Sequence, residues 1–78
     1  MIRKKQKVVV TFHTTTDAMD MEQLCKTHNI GGRIIPVPGA ITADCGLAWC
    51  SEPEQEAELL ALMETAGLSC QGVYHLLV

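Results

Sequence analysis

The sequence predicts an α+β domain whose elements follow the order β-α-β-β-α-β. Three observations point there: short apolar runs with period-two alternation at 7–12, 33–37, 47–51 and 72–78; two stretches of helical recurrence between them; and turn-forming residues at the junctions. In the first run Val8, Val10 and Phe12 share one face of a strand and Val9 adds to the other. Thr14, Thr15, Thr16 and Asp17 then offer N-cap oxygens ahead of Ala18, Met21, Leu24, Cys25 and His28, which recur at helical spacing.

Asn29 and the pair Gly31-Gly32 suit the exit from this first helix, and residues 33–37 read as the second strand. Pro36 lacks an N–H, which puts that strand on a sheet edge. A turn-rich loop over 38–44 precedes the third strand, with Leu47 and Trp49 on one face and Ala48 and Cys50 on the other. Ser51-Glu52-Pro53 is expected to cap the second helix, where Glu54, Glu56 and Glu58 complement the N-terminal dipole and Leu59, Leu60, Met63 and Ala66 turn inward. Gly67 ends it, and residues 72–78 supply the last strand. This order is the ferredoxin-like split βαβ: a four-stranded antiparallel sheet in spatial order 4-1-3-2, with the first and third strands central and both helices on one face.

A chain of 78 residues has room for one core and is expected to form a single domain over 1–78. No apolar stretch approaches the roughly 20 residues that span a bilayer, and the N-terminal segment leads straight into a strand; the expected setting is cytoplasmic, without membrane association. The formal charge of −3 hides an asymmetry: Arg3, Lys4, Lys5 and Lys7 are four of the six basic residues, leaving an acidic body with Lys26 and Arg33. One basic terminus beside a single Trp, Tyr and Phe does not make a nucleic-acid surface, and reads as a solvated end.

None of the four cysteines sits in a Cys-x-x-Cys pair. An extended run from Cys45 to Cys50 separates them by about 16 Å, too far to share a metal, and Cys45 and Cys70 would begin strands roughly 9.5 Å apart, beyond disulfide reach. No metal and no cofactor are expected, and His28 and His75 build no metal site. Cys25 and Cys50 read as small core hydrophobes, whereas Cys70 stays open.

Cys45 differs. It lies in a loop, precedes Gly46, and in the expected topology faces the amino end of the first helix, where unpaired N–H groups of Thr14, Thr15 and Thr16 favour an anion. A thiolate or persulfide gains about 0.3–1 kcal/mol there, and the Asp44 carboxylate opposes it by a similar amount. Gly46 removes a side chain that would crowd an incoming atom, and His13, at the same sheet end, is placed to take the thiol proton. The plainer alternatives are an ordinary loop cysteine and a strand-end histidine engaged only in loop hydrogen bonds.

Two segments carry a family likeness. Phe12-His13-Thr14-Thr15-Thr16-Asp17-Ala18 through Glu22, and Arg33-Ile34-Ile35-Pro36-Val37-Pro38 through Asp44-Cys45-Gly46-Leu47-Ala48, resemble the selenium/sulfur carrier protein-like family, in order and spacing, over nearly the whole chain. The Pro-x-Pro to Cys-Gly stretch is its most specific part; a basic residue often follows the second proline in that family, where this chain has Gly39. The resemblance implies a carrier, not an enzyme, that takes sulfur or selenium onto Cys45 from a cysteine desulfurase or selenocysteine lyase and passes it to an acceptor protein. Two other readings stand beside it. One is a non-catalytic module that binds a small ligand or another chain, with a weak homodimer forming through the apolar strand ending Tyr74-His75-Leu76-Leu77-Val78. The other is a thiol oxidoreductase in which Cys70 resolves Cys45.

Overall fold

A computed structural model describes residues 5–39, 41 and 46–77 of the chain. Its elements are β1 (Gln6–Thr11), α1 (Thr15–Thr27), β2 (Arg33–Pro36), β3 (Leu47–Ser51), α2 (Glu56–Ala66) and β4 (Gly72–Leu77), with one 3-10 turn over Pro53–Gln55 leading into α2. The fold is α+β, with two helices and a four-stranded sheet ordered β2-β3-β1-β4. Counted from the β4 edge, that order runs 4-1-3-2. Every neighbouring pair is antiparallel, and β1 and β3 are central. Pro36 does lie on an edge strand, where its missing N–H costs no ladder bond on the outer side.

The register explains the core. Val8, Val10 and Trp49 point to one face, since Val10 pairs with Trp49, and there they meet Ala18, Met21 and Cys25 of α1 and Leu59 and Met63 of α2. Both helices therefore cover the same face, and Phe12 and Ile30 close the ends of that core. Burying each of the larger side chains contributes about 1.5–3 kcal/mol. On the other face Val9, Thr11, Ala48 and Cys50 are also buried. Tyr74 belongs to it, and its ring lies over Gly72, where a Cβ would come within 2.8 Å of Tyr74 Cε1.

Local chemistry sets the helix ends. Thr14 is the N-cap of α1: its backbone is extended and its Oγ1 accepts from the Asp17 N–H at 3.2 Å. The helix exits at Asn29, not at the Gly31-Gly32 pair. Asn29 adopts φ 61°, its N–H donates to the Lys26 carbonyl, and the Ile30 N–H donates to the Cys25 carbonyl, a Schellman closure that buries Ile30. Gly67 (φ 70°) repeats the arrangement for α2, with Gly67 bonding to Glu64 and Leu68 to Met63.

Other expectations need correction. Ser51 does not cap the second helix; it is the buried last residue of β3, and its hydroxyl donates to the Gly31 carbonyl at 2.6 Å. Glu52 makes no side-chain capping bond, and the 3-10 turn that starts with Pro53 delays α2 to Glu56. Within α2, Leu59 and Met63 are buried, but Leu60 is 36% exposed and Ala66 is exposed, because only the i, i+4 stripe faces the sheet. In α1, Leu24 is only half-buried and His28 is exposed. β1 runs one residue earlier than expected, and β2 stops at Pro36. Lys7 is no free terminal charge either: its ammonium pairs with the Glu52 carboxylate across the β1–β3 register.

Candidate functional site

Cys45 lies outside the described residues, as does Asp44; the surroundings that hold the segment are described. The Val37 N–H donates to the Gly46 carbonyl at 3.0 Å, one rung beyond the Pro36–Leu47 pair, and so fixes the base of the β2–β3 loop. Thr11 pairs with Ala48 on one side and Gly72 on the other, and the Gln71 N–H donates to the Thr11 carbonyl at 2.7 Å. These rungs bring the loop base at Gly46, the end of β1 leading to His13, the start of α1, and Cys70 to one end of the sheet.

His13 is exposed at that end, and Thr14, Thr15 and Thr16 form the exposed opening of α1. The Asp17 amide is already taken by Thr14 Oγ1, and the Asp17 carboxylate in the first turn competes with any anion for the helix dipole. Gly46 is exposed, and a Cβ built there would meet none of the described residues within 4 Å.

The described thiols separate by environment. Cys25 is fully buried in the helix-facing core, and burial pushes its thiol up to about 11. Cys50 is 4% exposed on the opposite face; burial raises its thiol, while Lys7 and Arg33 pull it down. Both fit the reading of cysteine as a small hydrophobe. Cys70 is half-buried against the core, and its thiol too is raised, chiefly by burial. All three are free thiols.

A second grouping sits at the other end of the sheet, where residues from β1, the α1–β2 connection and the end of β3 line a cavity of about 300 Å³. Lys7, Arg33, Cys50 and Glu52 are its chemical groups. This cluster escaped the sequence reading because Lys7 looked like part of a basic tail and Cys50 like core. Only the β1–β3 and β2–β3 registers bring them together, and strand alternation alone does not specify those. Among the described residues no three His, Cys, Asp or Glu side chains gather as a metal site, and no helix is long and apolar enough to cross a membrane.

The arrangement defines a small α+β domain in which Gly46, at the base of the β2–β3 loop, and the capped start of α1 lie at one end of the sheet. A family model described as "Putative Se/S carrier protein-like" matches residues 7–75, and the chain belongs to that family. No curated protein and no solved structure matches it.

Proposed function

We propose that this chain is a sulfur or selenium carrier of ferredoxin-like fold, acting through Cys45 rather than as an enzyme in its own right. The observation that carries the reading is the family match, whose span includes Cys45 and Gly46, on a chain whose loop base opens at the same sheet end as the α1 amino terminus. The Cys45 thiolate attacks the outer sulfur of a donor persulfide. A new S–S bond forms on Cys45, the donor's S–S bond breaks, and the donor leaves as a thiolate, so the exchange involves no net oxidation. A perselenide donor delivers selenium in the same way. His13 takes the Cys45 proton, and the start of α1 at Thr14, Thr15 and Thr16 favours the anionic adduct. An acceptor nucleophile then removes the outer atom and regenerates the thiol.

The donor class is a cysteine desulfurase or selenocysteine lyase, whose pyridoxal phosphate supplies the chemistry that this chain does not, and the expected setting is the cytoplasm. Incubation with such a donor and its amino-acid substrate, followed by intact-mass measurement, tests the reading. Wild type gains the mass of one sulfur or selenium atom, lost on reduction, and Cys45→Ser gains none. Equal loading of the two proteins refutes it.

A second reading, a protein-interaction module, is favoured by β4. It is an edge strand, paired on one side by β1, and Leu77 on it is 62% exposed. An extended strand from a second copy adds to that edge through main-chain bonds.

A further inference from the structure

We propose that the cavity between β1, the α1–β2 connection and the end of β3 is a binding site for a small oxyanion, anchored by Arg33 and Lys7 beside the Cys50 thiol. It lies at the end of the sheet away from Gly46, the base of the β2–β3 loop, and does not depend on the carrier reading.

The first support is charge. Beyond the basic N-terminal segment the chain has only Lys26 and Arg33 as cations, yet Arg33 and Lys7 line the same cavity of about 300 Å³. Cys50 pairs with Arg33 in the β2–β3 ladder and with Val9, two residues from Lys7, in the β1–β3 ladder. The three side chains therefore share one sheet face, and both cations act electrostatically on the Cys50 sulfur. A guanidinium and an ammonium converging on a partly desolvated concavity match an oxyanion, with Arg33 supplying paired N–H donors and Lys7 a point charge.

The second support is what Lys7 already holds. Its ammonium binds the Glu52 carboxylate, a built-in anion at the mouth of the cavity. The Glu52 side chain is 47% exposed, so it swings out to water at little cost when another anion replaces it.

The cavity wall is braced. With its nitrogen toward Gly31, the Gln55 amide donates to the Gly31 carbonyl and to Ser51 Oγ at 3.0 Å each, tying the α1–β2 connection to the turn before α2. A braced wall beside the Lys7–Glu52 pair suits a small ligand.

Titration of the full 15N-labelled chain with inorganic phosphate, at ionic strength held constant with sodium chloride, tests the site. Saturable shifts are expected at the Gly31, Gly32 and Arg33 amides, which line the cavity. Arg33→Gln should weaken binding about tenfold, the loss of a charged hydrogen-bond partner. Glu52→Gln should tighten it severalfold, because Lys7 is released; Cys45→Ser should bind as wild type does. Unchanged amide shifts across α1 verify the fold of each variant. Shifts that do not saturate, or that persist unaltered in Arg33→Gln, or a Glu52→Gln variant that binds no more tightly than wild type, overturn the proposal.

Discussion

Gly32 and Trp49 are in contact so close that no side chain fits between them: a Cβ on Gly32 would lie 2.7 Å from Trp49 Cζ2 and 2.5 Å from the Cys50 carbonyl oxygen. Gly32 also adopts φ 152°, which L residues with side chains rarely take. Gly32→Ala should therefore cost about 2–4 kcal/mol, combining overpacking with backbone strain. Urea unfolding followed by the fluorescence of the single tryptophan measures it; an unchanged midpoint would mean that the indole yields freely.

The i, i+4 stripe of α2 makes a contrast between adjacent leucines. Leu59 is fully buried and Leu60 is 36% exposed. Leu59→Ala should lose about 2–5 kcal/mol, and Leu60→Ala within about 1 kcal/mol. Equal losses in chemical denaturation would contradict the helix orientation.

Alkaline stability should report Cys25. Its thiol is raised to about 11 by burial, whereas an unfolded thiol ionises near about 8.5. Between those values the unfolded state holds fewer protons than the folded state, so stability is full below the lower value and falls as pH rises through the window. Cys25→Ala removes this component and should flatten the fall in thermal melts; an identical slope refutes it. At the acid end, the Glu52 carboxylate is held below its ordinary value, first by its hydrogen bond to Lys7. That contribution is present above the unfolded carboxylate value and is lost as pH falls through the folded one. It is small, since solvent screens the pair.

How much was legible in the sequence follows from the range of the forces involved. Alternation and helical recurrence are local, so the β-α-β-β-α-β order, the edge position of Pro36 and an N-cap among Thr14, Thr15, Thr16 and Asp17 were readable, of which Thr14 is the cap. β3 was placed over Leu47–Ser51 to the residue. What depended on pairing was not. Ser51 resembled a cap until the Gly31 carbonyl claimed its hydroxyl, and Lys7 resembled a solvated tail until β1–β3 pairing brought Glu52 to it. His75 pairs with Val8 in the β1–β4 ladder and reaches Glu56 at 2.7 Å, a contact between elements that local pattern does not show. Cys45 was singled out by its loop position, the following Gly46 and the family likeness, and it lies outside the described residues; the registers show only that Gly46 shares a sheet end with the end of β1 and the start of α1.

Association through β4 has its own test. If an edge-to-edge homodimer forms, the mass from light scattering rises with protein concentration, and Leu77→Lys suppresses the rise by placing a charge on the pairing edge. A monomer mass constant up to the highest soluble concentration removes that reading.

In the proposed carrier role one thiol, Cys45, holds the transferred atom. Peptide mapping of the chain after brief exposure to a cysteine desulfurase or selenocysteine lyase with its substrate, with alkylation to trap the adduct, resolves the four cysteines individually. The added sulfur or selenium is expected on the Cys45 peptide, with Cys25 and Cys50 unmodified because both are buried. Label on Cys70 first, or an equal scatter across the thiols, would contradict it.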